Sequence, residues 1–286
     1  MITIQNECTN LPEKSEIKKA VNNYCSERGI SKNDLAIKSG ISDSTLCNLE
    51  NERWNSLSNA MLLRIWNFVT FNNVENLCST ADFVSTFKLC DKARKYHFMV
   101  GLTADTGMGK TTAVTAYARQ RNVFYLCYDK TMNPRQFFVR LLRELAYPFD
   151  GNMNEMISRA ADELNRLDSP LLIIDEAGKL NHTMILYLHV LRDKTRSNCG
   201  IVLAGMPYFK TNMQHYADRE KEGYAEFLRR INIWQAFGGL SGKEVEEICK
   251  KNGVTDPGRI KELKRIRRFG DLMNEIYLDK IMKGEL

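Results

Sequence analysis

Long apolar runs are missing from this chain: none reaches the ~18 residues that a membrane span needs, and Met1 to Asn10 holds no basic segment leading into an apolar one. A cytoplasmic location with no membrane partner is the resulting expectation. Paired metal-binding cysteines are missing as well. Eight cysteines (Cys8, Cys25, Cys47, Cys78, Cys90, Cys127, Cys199 and Cys249) stand scattered with no C-x-x-C spacing. That argues against a zinc site or a disulfide framework and leaves reduced, mostly buried thiols as the expectation. Neither an internal repeat nor a low-complexity segment is found.

What is present is an ordinary globular composition. Of 286 residues, 43% are hydrophobic and 27% charged, enough apolar surface to build a real core. The length fits two units, a small module and a larger domain. The net charge of +6 suits a polyanionic partner without demanding one.

From Ser15 to Phe71 apolar residues recur at helical spacing: Ile17, Ala20, Val21 and Tyr24, then Leu35, Ala36 and Ile37. Ser31 and Ser42 each precede a short polar stretch in the manner of an N-cap, with Gly40 as a turn residue between them. Residues 1–71 are therefore expected to form a small helical domain, and 72–95 a connector, helical over Ala81 to Leu89. From His97 the pattern changes to short apolar strands alternating with helices: His97 to Thr103, Val123 to Tyr128, Leu171 to Ile174 and Gly200 to Ala204. Such alternation implies an α/β fold with a central parallel sheet over 96–240. Residues 241–286 read as a closing helical region, Lys243 to Lys250, Pro257 to Phe269 and Asp271 to Met282, reached through turns at Gly238-Gly239 and Ser241-Gly242.

The first strand runs into Ala104, Asp105, Thr106, Gly107, Met108, Gly109, Lys110 and Thr111, and a helix is predicted from Thr112 to Gln120. Strand, glycines, Lys-Thr and helix together are the context of a phosphate-binding P-loop. Gly107 and Gly109 can turn backbone N–H groups inward, and the helix N-terminus adds its positive dipole. Lys110 is expected to neutralise the β and γ phosphates and Thr111 to ligate Mg²⁺. Ala104 stands where a glycine is usual, which restricts the backbone there.

Leu171 to Ile174 lead into Asp175 and Glu176, a buried strand ending in two carboxylates as a Walker B segment does. Asp175 is expected to hold Mg²⁺ and Glu176 to orient the attacking water. No Asn/Thr-Lys-x-Asp tetrad is placed to read guanine, so ATP is expected over GTP. Arg229 and Arg230, on a helix after the fourth strand, offer an arginine finger for a neighbouring subunit's γ-phosphate; a solvated basic face is the alternative.

Ile174 to Leu180, His189 to Asp193 and Gly200 to Pro207 resemble the AAA+ ATPases of Mu-like transposons, over about Tyr96 to Lys280. That resemblance implies an AAA+ P-loop NTPase fold and ATP-bound assembly into a helical filament or ring on double-stranded DNA. It also implies engagement of a transposase and release on ATP hydrolysis. Two departures point to slow hydrolysis. Gly205, Met206 and Pro207 stand where the family carries a polar sensor, and Met273 where it carries a sensor arginine, leaving Arg267 or Arg268 as substitutes.

Gly29 to Ala36 with Gly40 to Glu50 resembles a lambda-repressor-like helix-turn-helix. Its second helix, Ser42 to Asn51, would bring Ser42, Ser44, Thr45 and Asn48 to DNA, with Leu35, Ala36, Ile41, Leu46 and Leu49 as its core. Between Glu13 and Thr70, however, eight Lys or Arg face seven Asp or Glu, a near-neutral balance that leaves packing against protein open. Lys130, Thr131, Arg135 and Lys179 are further DNA candidates in a filament. The run Arg259 to Arg268 reads as a solvated face or a partner surface. Other functions kept open are a helicase-loader-like adaptor and a nucleotide-gated transcription regulator.

Overall fold

The computed structural model describes residues 12–70 and 78–282. Four helices come first: α1 (Lys14–Arg28), α2 (Lys32–Ser39), α3 (Asp43–Glu50) and α4 (Asn59–Thr70). Both expected serine caps are present. Ser31 Oγ accepts the Asp34 N–H at 3.1 Å while the Asp34 carboxylate accepts the Ser31 N–H at 3.0 Å, and Ser42 Oγ accepts the Thr45 N–H at 3.3 Å. Each satisfies a backbone donor that the first helical turn leaves orphaned. Between them Gly40 takes the left-handed conformation, φ 64°. Leu35, Ala36, Ile41, Leu46 and Leu49 are all buried, packed with Ile17, Val21, Leu62 and Ile65 in one apolar cluster.

After α5 (Ala81–Lys95) the chain alternates strand and helix. The strands are β1 (Met99–Thr103), β2 (Val123–Cys127), β3 (Leu171–Asp175), β4 (Gly200–Gly205) and β5 (Ile231–Ala236). Their order is β2-β3-β4-β1-β5, and every pairing is parallel. The α/β class with a central parallel sheet is as expected; β5 is an addition to the four strands read from sequence.

Helices cover both faces of the sheet. On one lie α5 and α6 (Lys110–Tyr117), whose Leu89, Cys90, Val114 and Tyr117 meet Val100, Leu102 and Ile173. The other face carries α7 (Pro134–Glu144), α8 (Met153–Arg166), α9 (His182–Thr195), α10 (Tyr208–Asp218) and α11 (Tyr224–Arg230). Their Phe137, Leu141, Met156, Leu188 and Phe227 form the largest cluster with Leu172 and Ile174. A sheet buried on both faces explains why its strands read as unbroken apolar runs.

Three last helices, α12 (Gly242–Lys251), α13 (Pro257–Leu263) and α14 (Phe269–Met282), close over a cluster of their own that includes Val245, Ile248, Leu263 and Leu272. The helix expected over Pro257 to Phe269 is shorter, ending at Leu263, and the chain turns before α14. Two carboxylates fasten this region to the start of α5. Asp82 accepts the Gly238 and Gly239 N–H groups at 2.9 and 2.8 Å, and Glu244 accepts the Ala81 N–H at 2.5 Å. At the other end of the molecule α2 packs against α7, with the Lys38 ammonium 5.2 Å from the Phe124 ring centre. Among the described residues no helix is long and apolar enough to cross a membrane.

Candidate active site

Because the strands are parallel, the segments leaving β1 and β3 emerge on the same edge of the sheet, where open α/β folds hold their ligands. The loop after β1 is the P-loop read from sequence. Ala104 is buried, and its N–H donates to the Gly205 carbonyl at 3.1 Å, extending the β1–β4 ladder by one residue. A residue in that ladder needs only ordinary extended geometry, so alanine serves where glycine was expected. Gly107 and Gly109 have φ of 74° and 87°, conformations that L side chains resist. A Cβ on Gly109 would meet nothing within 4 Å, so open space adjoins the loop. Helix α6 begins at Lys110, two residues earlier than predicted, which places Lys110, Thr111 and Thr112 in the first turn, at the positive end of the helix.

Four donors converge on the Asp175 carboxylate, which is fully buried. Lys110 Nζ lies 2.5 Å from Oδ1, and the Glu176 N–H donates to the same oxygen at 2.8 Å. Thr111 Oγ1 donates to Oδ2 at 2.7 Å, joined by the Tyr125 hydroxyl at 3.2 Å. A buried carboxylate is tolerable only when paired and hydrogen-bonded in this way. Tyr125 was not foreseen. Its clue is a lone hydroxyl in the apolar β2, since a buried tyrosine needs a partner for its polar end. Burial and the facing Asp175 charge push its phenol well above the ordinary range, so it stays a donor.

Glu176 follows in a left-handed conformation, φ 58° and ψ 31°, a backbone strain of order 1–3 kcal/mol for a residue with a side chain. Its carboxylate is part-exposed, 3.6 Å from Lys110 Nζ and 3.2 Å from Lys179 Nζ. Lys179 is thus engaged with Glu176, and that hydrogen bond raises its pKa. Offered from sequence as a DNA contact, it is in this structure a partner of the acid.

Phosphate chemistry suits this set. One ammonium, one helix N-terminus and a glycine-lined loop suit a polyphosphate. A hydroxyl and a carboxylate sharing one contact suit Mg²⁺, which takes few protein ligands and completes its shell with water and phosphate oxygens. Among the described residues no group of three or more His, Cys, Asp or Glu side chains could hold a metal by itself.

Of the two arginines, Arg230 is tied within its own chain. Its Nε and Nη2 donate to the Asp193 carboxylate at 2.9 and 3.0 Å, and Nη1 to the Glu226 carbonyl at 2.8 Å. Arg229 is exposed and has no such partner among the described residues. At the end of β4, Gly205 lies against the turn after β3: a Cβ there would sit 3.1 Å from the Gly178 nitrogen. That approach makes a side chain tight at the place where a polar sensor was sought. Arg267 donates to the Gly238 carbonyl at 2.9 Å, while Arg268 is exposed and remains the freer candidate for the substitute sensor.

The proposed DNA contacts divide. Lys130 and Arg135 are exposed, although Arg135 is paired with Asp150 at 2.6 Å. Thr131 folds back, its N–H and hydroxyl both donating to Asp129 Oδ1. On α3, Ser44 is exposed and Asn48 half-buried, but Thr45 is buried, its Oγ1 2.7 Å from Ser42 Oγ. Thr45 therefore corrects the sequence reading: it completes the helix cap instead of facing a groove. No lysine or arginine lies on α3.

Residues 94–213 match the AAA domain family. No curated protein matches the chain. Among solved structures it is similar to the Orc1 protein of Aeropyrum pernix in complex with DNA, at 14% identity over 68% of this chain and 57% of that one, TM-score 0.49. It is similar also to the replication initiator DnaA bound to AMPPCP and single-stranded DNA, at 15% identity over 72% and 63%, TM-score 0.47. A third is NtrX from Brucella abortus in complex with ATP, at 13% identity over 81% and 58%, TM-score 0.46. The chain spans between 57% and 63% of the length of these solved chains.

Proposed function

We propose that this chain, which carries an AAA-type P-loop domain, is an ATP-dependent DNA-binding regulator of transposition. In this reading it assembles on duplex DNA with ATP, engages a transposase and is released on hydrolysis. The observation that carries the nucleotide part is the convergence, from two strand ends, of Lys110 and Thr111 on the Asp175 carboxylate by hydrogen bond, with the Glu176 carboxylate 3.6 Å from Lys110 Nζ. The transposition part rests on the resemblance of Ile174 to Leu180, His189 to Asp193 and Gly200 to Pro207 to the ATPases of Mu-like transposons.

In this role Lys110 and the α6 N-terminus neutralise the phosphates, and Thr111 with Asp175 holds Mg²⁺. Mg²⁺ held there would supply positive charge against the charge that develops on the phosphate. Glu176 orients the attacking water and accepts its proton. Arg229, exposed and without a partner among the described residues, is the better arginine finger; Arg230 secures α11 to α9. A closely packed Gly205 in place of a polar sensor fits slow turnover, as a device that waits on DNA requires.

Electron microscopy with duplex DNA, with and without ATP, tests the proposal. Nucleotide-dependent filaments or rings are expected, and monomers under every condition would defeat it. A second reading, an adaptor that brings a replicative helicase to DNA, draws on α3, whose exposed Asp43, Ser44 and Cys47 give it no basic face. Recovery of a helicase and no transposase in a pull-down would favour it.

A further inference from the structure

Helix α7 is two-faced. Phe137, Phe138, Leu141 and Leu142 are buried against the sheet, while Arg135, Gln136, Val139, Arg140 and Arg143 line a surface groove of about 440 Å³ with Asp129, Thr131 and Met132. Arg135 is engaged by Asp150. The side chains of Arg140 and Arg143, one helical turn apart, are exposed, and their guanidinium groups have no ion pair or hydrogen bond among the described residues. Asp129 is the one carboxylate in the lining; the Thr131 N–H and hydroxyl hold its pKa below the ordinary range, so it stays charged.

We propose that Arg140 and Arg143, continuing the line of Arg135, form a track for the phosphate backbone of duplex DNA along the solvent face of α7. The proposal rests on the DNA-binding reading above and adds two cations that the sequence did not single out. Residues three apart on a helix stand about 5–6 Å from each other, and Arg135 to Arg143 climbs roughly 12 Å at ~1.5 Å per residue. All three line the same groove over that length, which fits a chain of anions better than a single one.

Their chemistry favours phosphate, because the planar guanidinium fork donates two parallel hydrogen bonds to one phosphate group. An acidic protein segment would ordinarily bring apolar side chains too, and the groove offers them only the half-buried Val139 and the buried Met132. The track begins beside Lys130, in the loop after β2, and ends at Arg143, next to the Glu144 end of α7 near which Lys38 of α2 packs. One duplex following it would run from the ATPase core toward the N-terminal helices. Contacts to the backbone carry no base information, so binding along α7 is indifferent to sequence.

The test uses the full chain with ATP and Mg²⁺ and a fluorescent duplex of arbitrary sequence, with affinity read across a salt series. The double variant Arg140→Gln with Arg143→Gln should bind at least tenfold more weakly. Its slope of log affinity against log salt should fall by about 1.8, at ~0.9 for each phosphate left without its arginine. Adenine-nucleotide binding by calorimetry should not change. A matched variant, Lys88→Gln with Lys92→Gln on α5, removes the same charge from another face and should leave the slope in place.

Failure of the parent protein to bind duplex would sink the proposed function and this track together. A parent that binds, with the arginine variant matching it in affinity and slope, overturns the track alone. So does an equal weakening in the α5 variant, which would make net charge the cause. Poly-glutamate displacing the duplex as well as unlabelled DNA does at equal ionic strength would reassign the groove to an acidic protein.

Discussion

The Gly270 N–H donates to the Gly107 carbonyl at 2.7 Å, joining the first turn of α14 to the phosphate-binding loop. Both partners are glycines, and the approach is close because of it: a Cβ on Gly270 would lie 3.2 Å from the Gly107 oxygen and 3.3 Å from its Cα. The closing helical region is thereby in register with the loop that would hold phosphate.

Gly270→Ala should therefore push the start of α14 off the loop by a few tenths of an ångström, a small overpacking that typically costs about 1–3 kcal/mol. Nucleotide affinity is expected to fall several-fold in calorimetry, with the melting temperature lowered by about a few degrees. An affinity equal to the parent's would show that this hydrogen bond does not set the loop.

Under the proposed function, variants of Lys110 and Glu176 should separate binding from hydrolysis. Lys110→Ala should abolish ATP binding and also destabilise the chain, since taking one member from a buried ion pair commonly costs about 3–5 kcal/mol; the three other donors to Asp175 place this case at the low end. Glu176→Gln should keep ATP and DNA bound while turnover drops roughly 10²–10⁴-fold, the usual worth of a general base. Parent-rate hydrolysis by Glu176→Gln would remove the acid from its assigned role.

How much of this was legible follows from what each residue depends on. Ser31, Ser42, Gly107 and Asp175 act through local backbone geometry or strand position, which spacing alone reveals. Strand β5 was hidden because it follows α11 with no turn residue between Arg230 and Ile231. Its Trp234 fits only because Gly101 opposes it, a Cβ there falling 2.3 Å from the ring. Tyr125, Gly270 and the Arg140–Arg143 pair become functional candidates through neighbours distant in sequence. Thr45 was misread because a polar side chain near an N-cap can serve the cap as readily as a ligand.

Tyr125→Phe tests whether the fourth donor to Asp175 positions it. Removing one hydrogen bond of this kind costs about 0.5–1.5 kcal/mol. The Mg²⁺ concentration needed for half-maximal nucleotide binding should shift by a few-fold, while Thr111→Ala shifts it much further. No shift in Mg²⁺ dependence would reduce Tyr125 to a packing role.

Acid should loosen α12 from α13 through Glu246, whose carboxylate accepts from Lys250 Nζ at 2.6 Å and Lys264 Nζ at 2.7 Å. Those hydrogen bonds bring its pKa from 4.5 down to about 2. With the folded value below the unfolded one, its contribution is complete above about pH 4.5 and fades as pH falls toward 2. Thermal melts of Glu246→Gln should lie slightly below the parent at pH 6 and converge with it near pH 2. The gap should narrow in high salt, because the three groups are solvent-facing. A gap that widened on acidification would reverse the sign argued here.

Arg229 and Arg230 are adjacent, yet their different surroundings lead us to expect opposite phenotypes. Arg230→Ala breaks the bidentate pairing with Asp193 and frees α11 from α9; the pair is part-exposed, so the expected cost is about 0.2–1 kcal/mol of stability, with hydrolysis little affected. Arg229→Ala removes no contact seen among the described residues and should leave the melt unchanged, while ATP hydrolysis in the DNA-bound assembly falls by ~10³-fold or more, as when a trans-acting arginine is withdrawn. Mixing decides between a trans and a cis role. A protein lacking Glu176 as its base but keeping Arg229 should restore hydrolysis to Arg229→Ala subunits that keep Glu176, because each supplies what the other's site lacks. If the mixture stays as inactive as its components, Arg229 does not act across a subunit boundary.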